Sequence, residues 1–380
     1  MKKNYYLYEK IYRTIKQEIS SGKYEIGDKI PTEKEVMSRF SVSRLTAKNA
    51  INLLAEENLV QRTPGKGTFV CKLPSQKVLV EQSSSKQSIN SRVIGCVLSG
   101  FTDGYGSTLL KELVNAFEKE KYHLIIKLSN ESQTKESTYI NELLSLGVCG
   151  LIVLPVQAEY FNSTLLKIAL SDTPLVLLDR KLTGIDVPFV GSNNSKGAYD
   201  ATSELIQLGH KNISVVTNFS AKNSATTERI EGIRSAFSDN SLPIDESIWI
   251  PDLKLNYYNI DNTKALEADI TKIQETITAH PEITSFFALD NLSTQLTYRA
   301  LTKLGNKIPE NYSLIGFDGA LKTPLLPSFS RVIQDEKNIA LKGAQLLIEK
   351  INNSNIDVHQ HIIDTIFVNN GSIQAPRNRQ

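Results

Sequence analysis

The sequence predicts an α/β chain in two parts: a small head of three helices and a β-hairpin, then a two-lobed body built on doubly wound parallel sheets. Three observations lead there. Helix-period apolar spacing dominates the chain up to its first hairpin, whereas strand-length apolar runs alternate with amphipathic stretches over the remaining residues, about 290 of them. The 380 residues exceed what a single hydrophobic core serves. The net charge of +2 conceals an asymmetry, because residues 1–77 hold 15 Lys/Arg against 8 Asp/Glu and the rest hold 28 against 33. A basic head on a mildly acidic body suits a polyanion-binding module beside one that need not touch nucleic acid.

The head is read element by element. Leu7, Ile11, Ile15 and Ile19 recur at helical spacing over residues 5–21, and Gly22 supplies the stop. Thr32 and Glu35 form a capping box that starts a short helix over 33–39. The stretch 40–43 is too short for anything but a turn, and Ser43 is a good N-cap for a third helix carrying Ala47, Ala50, Ile51, Leu53 and Leu54. Strands over 59–62 and 68–70, joined by Thr63-Pro64-Gly65-Lys66-Gly67, make a hairpin wing. Helix, tight turn, helix and wing form a winged helix-turn-helix, whose last helix enters a major groove. Ser43, Arg44, Thr46 and Lys48 then lie where base edges and phosphates would be, with Lys34 and Lys66 placed for phosphates.

Residues 27–51, GDKIPTEKEVMSRFSVSRLTAKNAI, and 57–70, ENLVQRTPGKGTFV, resemble the GntR-family winged helix-turn-helix. The resemblance implies DNA contacts on Lys34, Ser43, Arg44, Thr46, Lys48, Lys66 and Gly67. The family commonly has arginine where this chain has Lys48, which keeps the charge and loses the bidentate fork.

A tether rich in Ser, Gln and Lys is expected over 74–91, so the domains read as 1–73 (head), 74–91 (linker) and 92–380 (body). In the body, strands are expected at 93–98, 123–127, 150–154, 175–178, 189–191, 213–216, 248–250, 285–288, 313–316, 331–332 and 362–367, with helices between most of them. That number exceeds one comfortable sheet. Two lobes follow, about 92–191 with 334–352, and about 192–333 with 360–371. Ligands of such folds sit outside the carboxyl ends of the strands. Those positions carry Phe101, Asp103 and Tyr105, Ser129-Asn130, Asp179-Arg180, Asp290-Asn291 and Asp318, with Arg229 on a helix. Carboxylates, amides and guanidiniums around aromatic rings suit a polyhydroxylated ligand.

The runs VIGCVLS, GLIVLP, PLVLLDR, VPFVGSNNSKGA, LIQLGHKNISVV, ERIEGIRSAF, RALTKLGNKIPENYSLIGFD and VIQD resemble the LacI/GalR regulators and the related periplasmic sugar-binding proteins. The resemblance implies a periplasmic-binding-protein-like fold with ligand contacts on Phe101, Asp103, Tyr105, Arg180, Arg229, Asp290, Asp318 and Gln334. Here Ser192-Asn193-Asn194 replaces the usual VDN, and the usual ND pair is inverted to Asp290-Asn291, which exchanges donors and acceptors. A GntR-type head on such a body resembles the arabinose-type repressors. It implies a homodimer on a pseudo-palindromic double-stranded DNA operator, a sugar effector, and no cofactor.

Other classes fare worse. The three cysteines are far apart and lack C-x-x-C spacing, which argues against disulfides and zinc. No apolar run reaches membrane-spanning length and the charged N-terminus lacks a signal core, so a soluble cytoplasmic chain is expected rather than a transport receptor. No Schiff-base lysine site and no set of nucleophile, base and orienter emerges, and Gly100 to Gly106 is not a dinucleotide fingerprint, so a non-enzyme is expected.

Overall fold

The computed structural model describes residues 7–56, 59–63, 67–71, 92–101, 104–156, 162–182, 185–218, 224–319, 328–353 and 360–377. The chain divides into two compact units, Met1–Gln87 and Ser88–Gln380. The expected tether lies outside the described residues.

In the first unit, α1 (Leu7–Ser20) buries Ile11, Ile15 and Ile19 on one stripe. The start of α2 (Glu33–Phe40) is the expected capping box: the Glu35 amide donates to Thr32 Oγ1 at 3.3 Å and the Thr32 amide to Glu35 Oε2 at 2.7 Å. Ser41, left-handed at φ 53°, ends α2, and Ser43 Oγ accepts from the Thr46 amide at 3.2 Å to start α3 (Arg44–Glu56). Strands β1 (Val60–Thr63) and β2 (Gly67–Val70) pair antiparallel, Val60 opposite Val70 and Thr63 opposite Gly67, and Lys29 bridges to Phe69 at the outer edge. Val36, Ala47, Ala50, Ile51, Leu54, Val60 and Val70 close over the α1 stripe. Each large aliphatic side chain in this core contributes roughly 1.5–3 kcal/mol.

In the second unit, the chain first builds β3 (Val93–Leu98), α4 (Ser107–Lys119), β4 (His123–Leu128), α5 (Gln133–Ser145), β5 (Gly150–Leu154), α6 (Ser163–Ala169), β6 (Leu175–Leu178) and β7 (Phe189–Ser192). It continues with α7 (Asn194–Gln207), β8 (Ile213–Val216), α8 (Ser224–Asp239), α9 (Thr263–Ala279), β9 (Ser285–Ala288), α10 (Asn291–Lys303), β10 (Ser313–Phe317) and β11 (Ser330–Ile333). It ends with α11 (Glu336–Asn352), β12 (Gln360–Ile363) and β13 (Ile366–Val368). One sheet has the order β12-β7-β6-β5-β3-β4, all parallel, and the other β13-β11-β10-β9-β8, parallel except for β13. These are the doubly wound sheets of two lobes. Adjacent strand residues feed separate cores: Cys96 and Ile152 pack with Leu113 and Leu347 on one face, Val97 and Val153 with Ile140 and Leu165 on the other. Burial on both faces explains why these strands read as continuous apolar runs.

The chain crosses between lobes three times, after β7, after β11 and between β12 and β13. Three expectations change here. The expected single strand over 362–367, assigned to the second lobe, is two strands on different sheets. The parallel register of Gln360–Ile363 on Phe189–Ser192 holds the first part in lobe one, and the Asn193 side chain donates to Asp364 Oδ1 at 3.0 Å where the chain passes over. Ser192 likewise belongs to the first sheet. The expected strand at 248–250 is a 3-10 turn, Glu246–Ile248, followed by one isolated bridge from Val216 to Ile250. Asp245 Oδ1 takes the Ser247 amide and hydroxyl, which curls the backbone, while Ile248 and Ile250 are buried in the second lobe's core.

Candidate DNA-contact face and ligand cleft

On the head, α3 presents its N-terminal turn to solvent. Arg44 is 80% exposed, and Lys34 and Lys48 are exposed as well. Lys48 follows Arg44 by four residues, so the two cations share a helix face. The Ser43 and Thr46 hydroxyls lie 2.9 Å apart at the helix start. Glu33 Oε2 holds Arg44 Nε at 3.3 Å, and Glu33 Oε1 lies 3.7 Å from Arg62 Nη2 on β1. Lys34, Arg44, Arg62 and Gly67 border one concavity. Gly67 has φ +128°, and a Cβ there would collide with the Lys29 side chain. Lys66 lies outside the described residues. Arg62 was not among the sequence candidates; its signal was a cation on the first wing strand.

In the body, a cavity of about 200 Å³ opens at the strand C-termini between the lobes. Of the expected contacts, Tyr105, Arg180, Arg229, Asp290, Asp318 and Gln334 line it. Phe101 does not, and packs instead on the first lobe's core. Asp103 lies outside the described residues. Lining residues that sequence reasoning left out of the contact set include Glu131, Asp179, Asn218, Thr226, Tyr257 and Tyr258. Glu131 stands one residue beyond the Ser129-Asn130 pair that was noticed, and Tyr257-Tyr258 follow no strand, so the strand-end rule could not reach them.

Strand ends aim the acidic groups. Asp179 directly after β6, Asp318 directly after β10 and Glu131 after β4 have φ of 60°, 63° and 54°. Left-handed backbone at non-glycine residues is uncommon and clusters at functional sites.

The guanidiniums are held by several partners. Arg180 Nη1 donates to Glu131 Oε1 at 2.8 Å and to the Pro155 carbonyl at 3.3 Å, while Nε lies 3.8 Å from Asp179 Oδ2. Burial opposes the Arg180 charge, and Glu131 and Asp179 overcome it, leaving the pKa above its usual value. Arg229 Nε donates to Asn194 Oδ1 at 2.9 Å and Nη1 to the Leu289 carbonyl at 2.6 Å. Its guanidinium sits 3.5 Å from the centroid of the Phe317 ring, a cation–π contact, and Nη2 is 4.0 Å from Asp318 Oδ2.

Asp318 also accepts from Gln334 Nε2 at 2.8 Å, and Gln334 Oε1 accepts from Ser192 Oγ at 2.6 Å. The polar chain therefore joins the site to two of the three lobe crossings. Burial raises the Asp318 carboxyl to about 7, against the lowering effect of Arg229 and Gln334. Burial and the carboxylates of Asp179, Asp318 and Glu336 push the Tyr105 phenol well above its ordinary range. Asp290 behaves differently. Both of its oxygens cap α10, accepting from the Ser293 amide at 2.8 Å and hydroxyl at 2.7 Å.

The lobes meet across the mouth. Tyr258 Oη donates to the Ser99 carbonyl at 2.6 Å, and Lys181 Nζ meets Glu228 Oε1 at 2.5 Å. The loop bearing Tyr258 is tied by its own hydrogen bonds: buried Asp269 accepts from the Lys254 and Leu255 amides at 2.7 to 3.0 Å, and Asn256 Oδ1 accepts from the Tyr258 and Asn259 amides. Among the described residues no helix is long and apolar enough to cross a membrane, and no cluster of His, Cys, Asp or Glu is arranged to hold a metal ion.

Comparison with known proteins agrees with both units. Residues 7–70 match the bacterial regulatory proteins of the gntR family, and residues 202–373 the periplasmic binding protein-like domain. The arabinose metabolism transcriptional repressor of Geobacillus stearothermophilus is 23% identical, over 91% of this chain and 92% of that protein. The ribose operon repressor of Haemophilus influenzae is 22% identical over 75% and 82%. A LacI family transcriptional regulator from Enterococcus faecium, solved with bound ribose, superposes with a TM-score of 0.61 at 22% identity, covering 75% of this chain and 100% of that one. The chain thus joins a head that matches the gntR-family regulators to a body that matches the periplasmic binding protein-like domain.

Proposed function

We propose that this protein is a DNA-binding transcription regulator, a repressor of sugar catabolic genes whose grip on its operator is relieved when a small sugar, a pentose such as arabinose, fills the cleft of the body. One observation carries the reading. A polar, part-aromatic cavity between two lobes is hydrogen-bonded through Gln334 and Ser192 to the lobe crossings, in a chain that also carries an exposed recognition helix. A guest held there has contacts in both lobes and so favours one lobe arrangement over others, which is the only way a ligand shifts an equilibrium. The cavity is smaller than the ~300–1,000 Å³ of drug-sized sites, in keeping with a monosaccharide. Aromatic rings at Tyr105, Tyr257 and Tyr258 suit sugar C–H surfaces, and the carboxylates and amides suit hydroxyls. The names of the arabinose and ribose repressors support a pentose. The head reads DNA through Arg44, with phosphate contacts from Lys34, Lys48 and Lys66, and the chain acts in the cytoplasm as a homodimer on a pseudo-palindromic site, with no catalytic role.

The test selects duplexes from a random-sequence library with the full chain at fixed salt, then titrates the selected duplex with L-arabinose, D-xylose and D-ribose. Release of the duplex by one of them at saturation is expected. A sugar that raises the melting temperature of the body and leaves duplex affinity unchanged would refute induction.

A further inference from the structure

We propose that the cleft admits only uncharged polyhydroxyl guests, and that sugar phosphates and sugar acids are rejected by the charge built into its walls. The inference rests on the sugar reading above and narrows it to a chemical class.

The cavity is lined by four carboxylates, Glu131, Asp179, Asp290 and Asp318, against two guanidiniums, Arg180 and Arg229. A phosphate or carboxylate guest is normally recognised by an open arginine fork or by a helix N-terminus. Here both are largely engaged, although the buried Arg180 Nε has no hydrogen-bond partner among the described residues. Arg180 directs Nη1 at Glu131 and Pro155, with Asp179 on its Nε side. Arg229 spends Nε and Nη1 on Asn194 and Leu289, covers one face with Phe317, and turns Nη2 toward Asp318. The N-terminus of α10 is at the wall, but its cap is the Asp290 carboxylate itself, which takes the Ser293 amide. At the start of α8, which also borders the cavity, Ser224, Ala225 and Thr227 are engaged with neighbours. An anionic substituent would therefore meet more carboxylates than guanidiniums, and like-charge juxtaposition of this kind costs several kcal/mol. A neutral sugar meets the same carboxylates as hydrogen-bond acceptors. Glu336, which accepts from the Gly106 and Leu109 amides behind Tyr105, adds to the negative field without touching the guest.

The experiment is calorimetric titration of the full chain at pH 7.5 and fixed ionic strength. The probes are L-arabinose, D-ribose, D-xylose and D-galactose, together with arabinose 5-phosphate, ribose 5-phosphate, xylonate and galacturonate. A free sugar is expected to bind, with its anionic partner weaker by at least about 100-fold. In the Asp318→Asn variant that gap is expected to narrow, because one carboxylate is removed while shape and donors stay close to the original. Should Asp318→Asn fail to fold, the salt dependence of the native chain serves instead: residual affinity for the phosphate ester rises with ionic strength, while free-sugar affinity stays flat. An anionic sugar that binds as tightly as its neutral partner, or tighter, overturns the proposal and leaves the sugar reading standing. No binding by any probe, neutral or anionic, overturns the sugar reading itself.

Discussion

Replacing Tyr258 by Phe removes a single atom, the hydroxyl oxygen that spans the mouth of the cleft, and keeps the ring that lines the cavity. The lost bond is the 2.6 Å donation to the Ser99 carbonyl. A net intramolecular hydrogen bond is worth about 1 kcal/mol. Tyr258 is 43% exposed but Ser99 is buried at 3%, so the freed carbonyl is shielded from water and about 1 kcal/mol is the floor of the cost. The bond joins residues of opposite lobes and exists only while they are together, so its loss falls on the closed arrangement. About 1 kcal/mol corresponds to a sugar Kd roughly 5-fold higher, with duplex affinity of the sugar-free chain not reduced. Calorimetric titration with the inducing sugar, paired with thermal melting in its absence, measures both. An unchanged Kd together with a lowered melting temperature would refute the reasoning, since the bond would then be part of the resting fold.

Other perturbations test neighbouring claims. Gly100→Ala is expected to weaken sugar binding more than Tyr258→Phe, because a Cβ at φ +155° would collide with the Tyr258 hydroxyl; titration that finds the alanine variant unimpaired removes the mouth contact from the scheme. Asp318 and Glu136 are both raised by burial to about 7, so between the ordinary carboxylate range and pH 7 the folded body binds more protons than the unfolded chain. Body stability should accordingly fall as pH rises from the ordinary carboxylate range to about 7 and level off above it, by up to about 1.4 kcal/mol per pH unit per group, and denaturant melts of Asp318→Asn and Glu136→Gln should flatten that slope. Arg44→Ala is expected to cost about 1–3 kcal/mol of binding to the selected duplex and to relax its sequence preference, whereas Lys48→Ala should weaken all duplexes alike and lower the salt slope by about one ion. Anisotropy titrations over a salt series separate the two.

Local rules made much of this protein readable. The capping box at Thr32 and Glu35, the Ser43 cap and the alternation of buried strands with amphipathic helices rest on interactions within a few residues, and they stand where periodicity placed them. The strand-end rule found Tyr105, Arg180 and Asp318 for the same reason: chain direction alone puts those positions at one edge. Long-range pairing was not legible. Ile362-Ile363 and Ile366-Phe367-Val368 are separated in sequence only by Asp364-Thr365 and read as one strand, and it is the pairing of the first with β7 and the second with β11 that divides them between sheets. Ile248 and Ile250 were misread because burial without ladder partners gives the same pattern as a strand. Phe101 was expected at the ligand by its place after β3, yet its ring is taken by the core beneath. Tyr258 is brought to the cleft by a loop whose anchor, Asp269, lies eleven residues further along, a relation no local period records.

The triple crossing has a mechanical corollary. Segments at 192–194, 333–335 and 363–366 run abreast and are laced to one another through Ser192 with Gln334 and Asn193 with Asp364. Parallel stays of this kind resist sliding and twisting, and leave bending about one line as the soft coordinate. Gln334 sits on that line and also forms part of the cavity wall. A guest against that wall would thus touch a residue of the crossing itself.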